Sequence, residues 1–411
     1  MKKLTLVTRI SLLLFVLFGL DKSLGIFRQV FIAKRFLIPE QDAFNVANNV
    51  PDLLSALISG GALAMAFTPV LTSLLTKEGR KSAWDVFSRI ANLAFLATGG
   101  AALVIAILAP WLVGWRFGIA PGLSPERQQL VVELMRLNLV ATMIFSISGL
   151  VMAGLQANQH FLLPALAPIF YNLGQIFGLA ILAPTEGLHL GPVTLPAFGL
   201  GVHGLVYGVI LGAILHLSIQ IPGLVRYRFQ WTPAIGLRHP EVIRSLNLLL
   251  PRIVTMLFIQ LIFYWRDSLA SHSEAGISAL TYGWMIMQVP ETLIGTAIAT
   301  ALLPTLSEFS ARDQLVQFKQ MVERSVQVLI AICLPATAVL VLGLGPLVRL
   351  VFAGRFSPEQ MDMLVGVSQA SPRKFTKNGG QRIVILTGET NYENSDEEDR
   401  RHIAAQPHYR A

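Results

Sequence analysis

The sequence predicts an all-α polytopic membrane protein of about nine transmembrane helices, arranged as a six-helix N-terminal lobe plus an incomplete second lobe. Three observations carry that prediction. Of 411 residues, 53% are hydrophobic and only 14% are charged, against about 25% charged in a typical soluble domain. The mean hydropathy is +0.59, more apolar material than a soluble protein of this size can hide beneath its surface. Apolar stretches long enough to cross roughly 30 Å of hydrocarbon also recur along the chain. A single cysteine, Cys333, excludes a disulfide scaffold.

The stretches fall at about 10–33, 50–75, 88–115, 130–154, 161–183, 197–224, 246–270, 276–304 and 322–347. Lys2 and Lys3 precede the first, as in a secretory leader, but the run passes Asp21-Lys22 with no small-residue cleavage site and reads as a retained helix. The second opens at Val50-Pro51 and closes at Pro69; the third follows the polar stretch after Lys77. The fourth carries Glu133 and Arg136, spaced i, i+3 so as to neutralise each other. Pro164 and Pro168 in the fifth, and Pro335 in the ninth, free carbonyls and kink helices. Gly204, Gly208 and Gly212 in the sixth put small residues on one face, where a neighbouring helix can approach closely. The seventh carries Arg252, Arg266 and Asp267. The eighth, VPETLIGTAIATALLPTLSEF from Val289, repeats the Val-Pro-acid-x-Leu and Pro-x-Leu pattern of the second, VPDLLSALISGGALAMAFTPVLTSLL from Val50. Helices six crossings apart point the same way, so this is a parallel six-helix repeat with a substrate site expected between its halves.

Basic residues set the orientation. Lys2, Lys3, Arg9, Lys77, Arg80, Lys81, Arg226, Arg228, Arg238, Arg244, Arg312 and Lys319 fall on one side if the N-terminus is cytoplasmic, whereas the loops TEGLHLGPVTLPAFG and SHSEAG contain no Lys or Arg. The expected organisation is residues 1–225 as the six-helix lobe, 226–245 as a cytoplasmic linker, 246–365 as a partial second lobe and 366–411 as a disordered polar tail. Residues 371–411 hold 13 charges, and the preceding 370 residues carry formal net +7. Twelve spans would complete the repeat, so a truncated or frame-disrupted product is expected. RIVILTGET in the tail suits one short strand.

Charge within a span is costly and usually functional. Asp21, Arg28 and Arg35 are seven residues apart and share one face of the first helix, flanked by Lys22 and Lys34. Arg252 and Arg266 are fourteen apart and nearly share a face of the seventh. With Arg136 these make seven cations against three anions, Asp21, Glu133 and Asp267. Surplus cations in a cavity favour an anionic cargo, and arginine's planar fork suits phosphate oxygens. Asn172 and Gln175 add polar groups to the fifth span, while His203 and His216 read as packing or solvated residues. No G-x-x-x-x-G-K-[ST] loop, H-E-x-x-H motif or cysteine cluster occurs, and basic residues do not cluster on a polar face. Neither an enzyme, a cofactor nor a nucleic-acid partner is therefore expected.

Residues 25–71, GIFRQVFIAKRFLIPEQDAFNVANNVPDLLSALISGGALAMAFTPVL, and YGWMIMQVPETLIGTAIATALLPTLSEF from Tyr282 resemble the lipid II flippase family (MurJ/MviN) of the multidrug/oligosaccharidyl-lipid/polysaccharide exporter superfamily. The resemblance runs to about residue 365 and implies two six-helix lobes plus two helices, of which the last five would be missing. It implies movement of the undecaprenyl-pyrophosphate-linked peptidoglycan precursor, lipid II, or another such lipid-linked glycan, across the bacterial inner membrane by alternating access. On its motif Arg28 matches the first cavity arginine, Lys34 the second and Asp42 the acid of the D-A-F segment. This chain has Ser55 and Ala56 where better-studied members carry an arginine pair, Met285 where they carry arginine and Gln288 where they carry an acid. The expected substrate-binding set is therefore Arg28, Lys34, Arg35, Asp42, Arg252 and Arg266, the last two partly replacing the missing arginines. The competing readings are an exporter of another lipid-linked oligosaccharide or small amphiphile, and an inactive paralogue. No oligomeric state is assigned.

Overall fold

A computed structural model describes residues 6–59, 61–187, 189–190, 193–273, 275–290 and 314–351, with short pieces at 361–362, 364–365, 375–376 and 382–383. Within them the helices are α1 (Leu6–Arg35), α2 (Ile38–Leu54), α3 (Gly61–Lys77), α4 (Arg80–Gly114), α5 (Pro125–Ala157), α6 (Leu162–Phe177), α7 (Gly201–Ser218), α8 (Ile221–Arg226), α9 (Pro240–Ala270), α10 (Gly276–Pro290) and α11 (Leu315–Val351). Two compact units divide the chain: Met1–Tyr282 with Leu347–Gln360, and Gly283–Pro346 with Met361–Ala411. The second contains most of α11, with Pro335 and Pro346 inside that helix. The expected repeat beyond Pro290 and most of the polar tail lie outside the described residues. In the tail, Phe375–Thr376 pairs antiparallel with Arg382–Ile383.

Among the described residues five helical stretches are long and apolar enough to cross a membrane: Arg80–Gly114, Pro125–Ala157, Leu162–Leu182, Gly201–Arg226 and Pro240–Ala270. Their outer faces are greasy. Leu103 and Ile107 of α4 and Phe258, Ile262 and Leu269 of α9 are each more than half exposed. Their inner faces carry buried polar groups instead, among them Asn138, Thr142, Ser148, Asn172, Gln175, His216 and Gln220. That inversion suits hydrocarbon outside and satisfied polar groups within.

Two sequence expectations change. The second span starts near residue 38, because Pro39 sits in its first turn and the Glu40 carboxylate accepts from the Leu37 N–H at 2.9 Å, closing a capping interaction. It is also broken by a π-helical turn at Ser55–Ser59, and a second such turn, Gly178–Leu182, ends α6. Such turns commonly mark functional sites. Glu133 and Arg136 do not pair: Arg136 donates from Nε to the Ala106 carbonyl at 2.9 Å, while Glu133 reaches His203 of α7 at 3.4 Å. Neighbouring helices offer each side chain a partner that the i, i+3 rule cannot see.

The glycine expectation is met by α6. A Cβ built on Gly174 would lie 2.4 Å from the Gly212 Cα, and one on Gly178 2.6 Å from the Gly208 Cα. Helices α6 and α7 therefore touch backbone to backbone. At the other face of the unit, Trp84, Phe87 and Phe229 stack edge to face within 5.3–5.4 Å of one another. The chain after α8 runs along α4: Tyr227 accepts from Trp84 Nε1 at 3.1 Å, and Asn92 Nδ2 donates to Thr232 and Ala234 at 2.9 and 3.0 Å. Trp231 Nε1 returns a bond to Asn92 Oδ1 at 2.9 Å.

Candidate functional site

Helix α2 organises the polar interior of the first unit. Its nine-residue stretch from Gln41 to Asn49 carries four polar side chains that bond α10, α5 and α9. Gln41 donates to the Phe36 carbonyl at 2.8 Å and accepts from Tyr282. Asp42, 4% exposed, accepts from the Ser278 backbone N–H at 2.9 Å and from its hydroxyl at 2.5 Å. Asn48 accepts from Asn138 of α5 at 3.0 Å, and Asn49 donates to Asp267 of α9 at 2.9 Å. Asp42 is thus a tether to α10. Ser278→Ala leaves the buried carboxylate one donor short and is expected to cost about 1.5–3 kcal/mol. A thermal midpoint in detergent equal to the parent's would overturn that assignment.

Arg28 turns inward from α1. Its Nη1 donates to Asn172 Oδ1 of α6 at 3.0 Å, and Asn172 Nδ2 donates to Asp21 Oδ1 at 2.8 Å. One amide, 5% exposed, thereby links the guanidinium to the carboxylate one heptad earlier on the same helix face. The buried Nε of Arg28 has no hydrogen-bond partner among the described residues. Besides Asp21, the carboxylate whose charge acts on Arg28 is Asp52.

Tyr171 and Asp52 both line a cavity of about 240 Å³, together with Asn48, Asn138, Thr142 and His216. A single water needs only roughly 10–15 Å³, so the space is roomy and polar. His216 also holds Ser148 at 2.6 Å, and Ser148 accepts from Gln220 at 2.9 Å. This histidine closes a buried network and faces the cavity as well.

The other candidates stand apart from Arg28. Lys34 and Arg35 are exposed in the last turn of α1, where cations complement the helix dipole. Arg266 donates from Nε to Asp267 Oδ1 at 2.6 Å and its guanidinium lies 4.8 Å over the Phe263 ring. Its charge is largely spoken for by Asp267, which Asn49 holds in turn. Arg252 is half-buried on α9 and makes no ion pair among the described residues. Among the described residues no hydrogen bond or ion pair links either arginine to the Arg28 network. Asp52 went unread in the sequence except as the acid of the Val-Pro-acid-x-Leu pattern; its place one turn after Asn48 on a polar face was the available signal.

An apolar exterior, a guanidinium held inside and an adjoining polar cavity define a polytopic helical membrane protein. The fold is similar to "Lipid II flippase MurJ, inward closed conformation" (TM-score 0.69, 18% identity, 87% of this chain and 71% of that one). It is also similar to an inward-facing multidrug resistance MATE family transporter (TM-score 0.66, 15% identity, 86% of this chain and 79% of that one). The chain belongs to the lipid II flippase MurJ family, whose model matches residues 38–371. Relatives include the lipid II flippase MurJ of Burkholderia cenocepacia, 27% identical over 84% of this chain, and a probable lipid II flippase MurJ of Rhizobium meliloti, 28% identical over 82%. The chain spans 66% and 62% of their respective lengths.

Proposed function

We propose that the chain works as a lipid II flippase, moving the lipid-linked peptidoglycan precursor from the inner to the outer leaflet of the bacterial inner membrane by alternating access. In this reading nine spans cross the bilayer, the N-terminus is cytoplasmic, and the six-helix lobe of residues 1–225 is joined by the 226–245 linker to a partial second lobe, 246–365. The observation that carries it is Arg28: a guanidinium fixed inside an apolar bundle by Asn172 and Asp21, with a buried donor left over. A pyrophosphate headgroup is the anion that such a fork suits. Lys34 and Arg35, exposed at the end of α1, supply a first electrostatic contact; Arg252 and Arg266 supply further positive charge along α9; and Asp42 holds α2 in place through Ser278.

The test is complementation. Expressed in a flippase-depleted strain, the chain restores growth and lowers precursor in the inner leaflet. A membrane-inserted, folded chain that does neither overturns the proposal, and rescue of a strain lacking a different lipid-linked glycan exporter would reassign the cargo.

A further inference from the structure

The segment between α8 and α9 is apolar on the side that faces away from the protein. From Trp231 to Leu237 alternate residues point outward: Trp231 is 62% exposed, Ile235 51% and Leu237 58%, and Pro233 is exposed as well. Thr232 and Ala234 between them are half-buried, and Gly236 is buried where a Cβ would meet the Arg89 side chain at 2.7 Å. Basic residues bracket this ridge. Arg226, Arg228, Arg238 and Arg244 are all exposed, and Glu241 is the single acid between Ile221 and Ser245, so four positive charges against one negative leave net +3 with His neutral. An exposed apolar patch with a charged rim marks a surface made for a partner.

Helix α4 gives the depth of the ridge. Its charges are Arg80, Lys81, Asp85 and Arg89, and the run Ile90–Gly114 that follows carries none. About 20 such residues cross the hydrocarbon, so Asn92 stands at its edge. The segment runs down α4 from Trp84, which donates to the Tyr227 carbonyl, to Asn92, which donates to the Thr232 and Ala234 carbonyls. That is a descent of about 12 Å along the helix. Where water is scarce, irregular backbone persists only if its polar groups are met. Here one Asn92 amide meets two carbonyls, Trp231 Nε1 donates back to Asn92 Oδ1, and Pro233 brings no N–H. A segment in open water would need none of this capping.

We infer that Trp231–Leu237 is an interfacial anchor whose apolar ridge enters the acyl border of one leaflet while the flanking arginines meet the phosphates of anionic phospholipids there. Tryptophan favours that boundary, and each arginine near an anionic surface adds attraction. The partner is lipid rather than protein because the ridge lies level with the end of α4's charges and its carbonyls are already capped against loss of water. The connection between α8 and α9 is then a lipid-borne element instead of a linker in water. The inference rests on the chain's place in a membrane and not on the flippase reading.

The test reads depth at single positions. The full chain, with Cys333→Ser, carries one environment-sensitive label at Ile235→Cys and is reconstituted in nanodiscs of phosphatidylcholine with increasing phosphatidylglycerol. Lipids brominated along the acyl chain should quench most of the emission, and aqueous iodide little of it. A label at Glu78→Cys, exposed in the charged turn between α3 and α4, should behave the opposite way. Leu237→Cys repeats the measurement and decides it if Ile235→Cys does not fold. Arg226→Gln, Arg228→Gln and Arg238→Gln combined should weaken the apparent affinity of the ridge for phosphatidylglycerol at least about tenfold. Iodide quenching of both ridge labels overturns the anchor. Ridge labels reached by neither quencher also overturn it and give the ridge to a protein partner or a second copy of this chain. Lipid quenching that is as deep without phosphatidylglycerol, or unmoved by the triple arginine variant, overturns the choice of anionic lipid.

Discussion

Arg28→Ala abolishes rescue of a flippase-depleted strain while leaving the chain folded and in the membrane. The expected size follows from desolvation. Arg28 is held away from bulk water, its Nη1 is committed to Asn172, and its Nε is buried without a protein acceptor. Truncating one partner of a buried, hydrogen-bonded charge pair costs about 2–5 kcal/mol. At 1.4 kcal/mol per decade that is a loss of about thirty- to several-thousand-fold in cargo affinity. Arg28→Lys keeps the charge but not the planar fork, and should fall between parent and alanine. Asn172→Ala leaves the guanidinium in place but unaimed, so it should weaken affinity less than Arg28→Ala. Binding of a pyrophosphate-bearing lipid to purified protein, read beside growth, checks all three. Parental rescue by Arg28→Ala at equal protein level would remove the phosphate-binding role from this residue.

The second large effect concerns folding. Gly208→Leu should leave little folded protein, because a Cβ at this position lies 2.8 Å from the Gly178 Cα and 3.1 Å from the Gly174 carbonyl oxygen. Those obstacles are backbone and cannot rotate away, so the cost should reach the upper end of the 1–3 kcal/mol typical of overpacking, or exceed it. The same seam positions the site: a Cβ on Gly212 would strike the Tyr171 carbonyl oxygen at 2.6 Å, and Tyr171 lines the cavity. Gly19→Leu, where a Cβ meets nothing within 4 Å, is the matched control. Size-exclusion profiles and thermal midpoints of the two variants compare them. A Gly208→Leu protein that elutes and melts like Gly19→Leu would show that the helices have room to part.

The sequence made much of this legible where a local rule governs. Heptad spacing placed Asp21 and Arg28 on one face, and both reach the same amide, Asn172. Small residues four apart marked the α6-facing side of α7. Composition and span length identified the membrane class. What escaped depended on which helix lies opposite. Glu133 and Arg136 obey the spacing of a neutral pair, yet His203 and the Ala106 carbonyl take them separately. Arg266 read as a free cavity cation because its next neighbour in sequence, Asp267, gave no sign of folding back onto it. Asp52 read as the acid at the start of the apolar span from Val50, and only α5, α6 and α7 together convert its position into a cavity wall. The π-helical turn after Leu54 has no sequence mark and changes which side of the chain faces that wall.

The segment after α8 is stapled to α4 by Trp84 and Asn92 as far as Ala234, and a Cβ on Gly236 would already press on Arg89 at 2.7 Å. By His239 the chain is committed again, since its ring accepts from the Glu241 N–H that opens α9. Leu237 and Arg238, both exposed, lie between these anchorages in a turn that the His239 N–H closes by donating to the Gly236 carbonyl at 2.8 Å. A connection of thirteen residues, Tyr227 to His239, is thus held to α4 along its first half and closed into a turn at its end. Any swing of α9 relative to α4 would strain that turn first, and a cross-link across it would stall the movement while sparing both anchored ends.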